Sequence, residues 1–335
     1  YLQTFERQRT QELFTALHEA TCADASLDRC LEIAQTARAA GYYDAATEIL
    51  AAISQQAARM ELDYKMSLQL KRELAQLYGE KHEYKLALPL CEEIVSLIEL
   101  NEGESEELFN ALIDLSTVVH GIGDYDRAER AIRHALEFEE VAPVSRRLDA
   151  EQNLATHVLA QGHYEDAVKL HEQTLDLSIR LLGKMHPSSL AYSGNLAAAM
   201  IFARQFTKAL EVLETTLPAI KSILGSKHAL YLGGLENLGR IYKELGHFES
   251  AETIYHELIS LMDLLNGPMS EKAIIFQLGL GKIYYIKGEP QKAFEVYRKY
   301  LPALSDLRGT THPSVLRSHK TMNDILIALK MEQSD

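Results

Sequence analysis

Along almost the whole chain, apolar residues recur at intervals of three and four, the period of a helix with one buried face. The pattern predicts paired helical segments joined by short corners. The corner itself recurs: Gly, any residue, an aromatic, two more residues, then Ala. It reads Gly41-Tyr42-Tyr43-Asp44-Ala45-Ala46, and again from Gly123 to Ala128, from Gly162 to Ala167 and from Gly246 to Ala251. Degenerate copies run from His82 to Ala87, from Arg204 to Ala209 and from Gly288 to Ala293. The closing alanines, 46, 87, 128, 167, 209, 251 and 293, are spaced by 41, 41, 39, 42, 42 and 42 residues. A period of this kind marks an array of stacked supersecondary units.

Each part of the corner has a physical task. Gly takes the left-handed conformation that ends a first helix. The aromatic fills the space where two helices diverge. The Ala stands where they come closest, where a larger side chain would force them apart. A large–small pair upstream, such as Leu154-Ala155, Leu196-Ala197 or Leu238-Gly239, supplies the matching surface on the first helix. Downstream, Leu136, Leu175, Leu217, Ile259 and Leu301 occupy one position of the second helix.

The Leu-Ala pair, the Gly-x-Tyr corner and the second-helix Ala together resemble the tetratricopeptide repeat from about residue 24 to 330. The usual early Trp is absent, and the period is about 42 residues instead of the common 34. Kinesin light chain-like repeats are also long. They share Asn153-Leu154-Ala155, Asn195-Leu196-Ala197 and Asn237-Leu238-Gly239, and the linker Leu182-Gly183-Lys184-Met185-His186-Pro187, repeated in weaker form at His228 and at His312-Pro313. HEAT and armadillo arrays have a similar period, but the corner motif argues against them. The resemblance implies an all-α, right-handed solenoid of about seven helix-turn-helix repeats. A single domain is expected over residues 1–335: a capping helix in 1–22, seven repeats in 24–310 and a capping helix in 312–331.

Composition agrees with such a fold. Hydrophobic residues make up 47% of the 335, with 8 Pro and 18 Gly. Pro218 and Pro302 fall inside second helices and are expected to kink or shorten them. The net charge of −14 disfavours nucleic acid and anionic membrane surfaces, and favours basic or apolar partners. Three scattered cysteines and the absence of a long apolar run or signal-peptide pattern point to the cytoplasm. A start at Tyr1 is expected of a piece of a longer protein.

No catalytic set emerges. Four His-Glu pairs, at His18, His82, His171 and His256, lack the second His of a zinc-protease helix. His18 and Cys22 supply two ligands at most, and Cys22 and Cys30 lack metal-ligand spacing. The His-Pro linkers read as helix starts, since Pro suits a first helical position. No enzyme activity, metal or cofactor is expected.

The resemblance places first helices along a concave groove, with inward positions 18, 15, 14, 11, 8 and 7 residues before each closing Ala. These give Asn110, Asp114, Gln152, Asn153 and Thr156 in repeats three and four, Asn195, Ile201 and Phe202 in repeat five, Asn237 and Arg240 in repeat six, and Lys282 and Tyr285 in repeat seven. An Asn side chain both donates and accepts, so it suits a peptide backbone of any sequence. It suits a bond to the neighbouring helix equally well. A clamp for a C-terminal carboxylate is not expected: Arg72 and Gln76 come nearest, and Asp114 would repel the anion. The expected function is an interaction scaffold or adaptor holding a peptide or helical segment of a protein partner. The alternative is a ligand-responsive regulatory domain that controls an effector.

Overall fold

The computed structural model describes residues 27–57 and 63–332. The expected helix in 1–22 and the His18–Cys22 pair lie outside these residues. Those described form fifteen α-helices, one 3-10 turn at Glu139–Val141 and no strand.

Seven hairpins follow one another: α1 (Leu27–Ala39) with α2 (Tyr43–Ala57), α3 (Tyr64–Glu80) with α4 (Tyr84–Asn101), and α5 (Glu106–Ile122) with α6 (Tyr125–Glu137). Then come α7 (Val144–Ala160) with α8 (Tyr164–Leu182), α9 (Pro187–Phe202) with α10 (Phe206–Leu224), α11 (Ala229–Glu244) with α12 (Phe248–Asn266), and α13 (Glu271–Ile286) with α14 (Pro290–Arg308). The helix α15 (Pro313–Glu332) comes last. The chain divides into two compact units, one ending at His163 and the other starting at Tyr164, in the corner of the fourth hairpin.

All seven closing alanines are 0% exposed. That is the close approach expected of them, since a residue with no accessible surface leaves no room for a longer side chain. Where the first helix lacks the small partner, glycine serves. The ring of Tyr255 on α12 lies against Gly239 on α11 and Gly279 on α13; a Cβ on Gly279 would stand 2.3 Å from the ring. Within each unit the helices of a hairpin touch, as do consecutive hairpins, and first helices also touch each other: α1 with α3, α5 with α7, α9 with α11, and α13 with α15. At the C-terminal end, α15 contributes the fully buried Val315 and Ile325 to a cluster with Ile274, Tyr297, Leu301 and Leu304.

The corners show how the degenerate copies survive. Gly41 and its counterparts at 123, 162, 246 and 288 all have φ between 78° and 94°. Where the sequence has His82 and Arg204 instead, φ is 58° at both. The hydrogen bonds are the same too: the Arg204 N–H donates to the Ile201 carbonyl at 3.2 Å, and the Gln205 N–H to that of Met200 at 2.8 Å. The geometry is set by the array, and the side chain is held in a conformation that costs an L-residue about 1–2 kcal/mol. Arg204→Gly is therefore expected to raise stability by about 0.5–1 kcal/mol, less than the strain because glycine loses more chain entropy. A lower melting temperature for the variant would contradict this.

The prolines do not shorten their helices. Both α10 and α14 run unbroken for 19 residues through Pro218 and Pro302. Both prolines are on the exposed side, where water can serve the carbonyl that has lost its donor. The linker histidines take a capping role. Nδ1 of His186, His228 and His312 each accepts the backbone N–H two residues ahead, at 3.2 Å. This satisfies one of the orphan donors at the starts of α9, α11 and α15.

Candidate functional site on the first helices

In the first unit the polar residues of successive first helices are tied together. Gln35 and Arg38 on α1 bond to Glu73 on α3, at 2.8 and 3.3 Å. Arg72 on α3 pairs with Glu107 on α5. Arg146 on α7 donates to Asn110 on α5, at 2.8 Å. These bonds link residues 35 to 38 apart in sequence. Asn110 is thus half-buried and engaged as an acceptor.

Asp114, one turn further along α5, has no hydrogen bond or ion pair among the described residues. It is exposed at the mouth of a cavity of about 210 Å³ between α3, α4 and α5. The helices around it strip away enough water to raise its carboxyl above the usual range, against the pull of Arg146 and Arg72. The cavity floor is apolar: Ala75, Cys91, Ile94, Ala111 and Val118. Burial pushes the Cys91 thiol up to about 12, so it behaves there as a small apolar group and not as a nucleophile.

On α7, Thr156 is exposed and Asn153 half-buried, while Gln152 is 5% exposed. The residue after Thr156 is His157, whose Nδ1 lies 2.9 Å from Nδ1 of His120 on α5. Burial, then the His120 charge, lowers His157 to about 4.

The second unit presents a different surface. Phe202, at the end of α9, is 47% exposed, and its ring stacks on Tyr164 at 6.0 Å and 24°. The Arg240 guanidinium of α11 lies 5.3 Å from the centre of the same ring, a cation–π distance. Arg240 and Lys282 both stand 11 residues before their closing alanines, on α11 and α13, and both are exposed. Among the described residues neither has a carboxylate partner. Asn195 is exposed, and Asn237 and Tyr285 are half-buried. Ile201 corrects an expectation: it is 2% exposed and has no surface to offer a partner. One residue along a helix is a rotation of roughly 100°, and that step separates buried Ile201 from exposed Phe202. Gln152 is withdrawn from the surface in the same way.

Sequence reading missed the Tyr164–Phe202–Arg240 stack. Tyr164 is visible in sequence only as a corner aromatic, and its second task needs the packing of α8 on α9. No group of three or more His, Cys, Asp or Glu residues is placed to hold a metal among the described residues. No described helix is long and apolar enough to cross a membrane.

Residues 66–139, 147–222 and 191–263 match the tetratricopeptide repeat family. The chain belongs to that family. Its repeats are of the kinesin light chain-like type: it is 26% identical over 155 residues to kinesin light chain-related protein 3 of Arabidopsis thaliana, covering 46% of this chain and 23% of that one. A clustered mitochondria protein homolog of Meyerozyma guilliermondii is 32% identical over 125 residues, covering 35% of this chain and 10% of that one. The chain thus spans less than a quarter of the length of either curated relative. Among solved structures, NprR in complex with its cognate peptide NprX is similar in fold, with a TM-score of 0.55 at 14% identity over 96% of this tetratricopeptide repeat chain and 94% of that one.

Proposed function

We propose that this tetratricopeptide repeat chain is a non-catalytic interaction module that holds a peptide or helical segment of another protein against its first helices. The observation that carries this reading is the pair Arg240 and Lys282. They occupy one repeat position on successive first helices, are exposed, and lack carboxylate partners, beside an exposed Phe202. Cations without carboxylate partners, set at one repeat position of neighbouring first helices, are ready to receive acceptors from outside, whether carboxylates or backbone carbonyls. The stacking of Arg240 on Phe202 holds the guanidinium in place, which reduces the entropy lost when a ligand arrives.

A cellulose-bound array of peptides probed with the full chain tests the reading. The Arg240→Ala/Lys282→Ala double variant is expected to bind at least about tenfold more weakly to the peptides the wild type selects, the loss of roughly 1.4 kcal/mol. Undiminished binding would place the ligand elsewhere. A second reading, a domain that changes conformation with its ligand, is supported by the fold it shares with NprR, whose solved complex holds a peptide.

A further inference from the structure

We propose that the cavity between α3, α4 and α5 is a subsite for a basic side chain, a Lys or Arg of the bound segment. The aliphatic stem lies on the apolar floor and the cationic head meets the Asp114 carboxylate. The proposal rests on the reading that the first helices receive a peptide, and it assigns opposite chemistry to the first unit.

Three observations converge on it. The cavity has the right size and lining. A cavity of about 150 Å³ lined by aliphatic side chains accepts benzene, so 210 Å³ accommodates the methylene stem of Lys or Arg, which prefers apolar contact while its head stays polar. The mouth has an acceptor in need of a donor: Asp114 is exposed, makes no hydrogen bond among the described residues, and is crowded enough by protein to have lost part of its hydration. Its neighbour Arg72 does not fill the role, being turned to Glu107. Gln76, also at the mouth and exposed, adds a neutral acceptor.

The third observation is the distribution of charge. Residues 1–163 carry 29 Asp and Glu against 15 Lys and Arg, whereas residues 164–335 carry 19 of each. The whole formal charge of −14 therefore lies in the first unit. A second cavity on the same α3 face, of about 420 Å³, has Glu73, Glu102 and Glu107 in its walls against Lys65 and Arg72. A net negative excess around a concave, poorly solvated site steers and retains the opposite charge. An acidic ligand would meet this negative excess in the first unit, and a purely apolar one would leave Asp114 stripped of water without recompense.

The test uses peptides selected from a phage-displayed random library on the full chain, with affinities then measured by fluorescence anisotropy. Binders are expected to share a Lys or Arg whose replacement by Gln weakens binding tenfold or more, and Asp114→Asn is expected to cost the same peptides a similar factor. Thr117→Lys, which sets a cation beside Asp114 at an exposed position of the cavity wall, is expected to do likewise, and unchanged thermal melting of both variants would show that they fold. Two outcomes overturn the subsite while sparing the broader reading: binders that lose affinity with Arg240→Ala but not with Asp114→Asn, and binders whose contact with the first unit is apolar or acidic. Failure to select any peptide would overturn both.

Discussion

Taking the protein from pH 7 to pH 4 is expected to lower its unfolding free energy by roughly 2–3 kcal/mol for each of two histidines, His157 in the first unit and His171 in the second. Both are buried, at 3% and 1% exposure. Burial lowers each to about 4, with the His120 charge adding to the effect at His157. An unfolded histidine titrates near 6.5. Above that pH both states hold the neutral ring and the stability is complete. As pH falls through 6.5 the unfolded chain gains a proton that the fold refuses, and stability drains until about pH 4, where the folded ring is protonated too. Asp114, raised by burial, works in the opposite sense and offsets a small part of the loss. Urea unfolding at pH 7, 6, 5 and 4 measures the slope. His157→Gln and His171→Gln are each expected to flatten it, even where they lower stability at pH 7. Parallel slopes for wild type and the double variant would sink the assignment.

Ala209→Leu is expected to destabilise the second unit by about 3 kcal/mol, at the upper end of the range for overpacking. Ala209 is fully buried on α10, facing α9 in the same hairpin. Three added carbons have no void to enter, so the helices must part or the side chain must leave its rotamer wells. In an array each hairpin is supported by its neighbours, and the damage is expected to spread from α9 and α10 to α11. Amide hydrogen exchange would show this as lost protection in those three helices with little change in α1 to α4. Ala209→Ser, nearly the same size, serves as the control for position. A Leu variant as stable as wild type would mean that the closing alanine does not set the helix spacing.

Much of the fold was legible because it is written seven times. The closing alanines, the corners and the helix order were all read from a local motif, and a local motif repeated at constant spacing is hard to mistake. The reading faltered where a residue's local type and its environment disagree. His82 and Arg204 hold the left-handed corner without glycine, since five neighbours of the same geometry leave the chain no alternative. Pro218 and Pro302 sit inside long helices, because exposure rather than helix position decided their cost. Of the residues expected to face a partner, Phe202, Arg240 and Lys282 do stand on the surface, whereas Ile201 is buried and Asn110 is bound to Arg146.

The sequence by itself determined where each hairpin turns, which alanine lies at its heart and which helices come first in each pair. These depend on contacts within some twenty residues, and the composition of each copy specifies them. Only the tertiary structure decided which polar groups remain available to a partner. A side chain such as Asn110 is claimed or left free by a residue 36 positions away, and the cavity beneath Asp114 exists only where three helices come together.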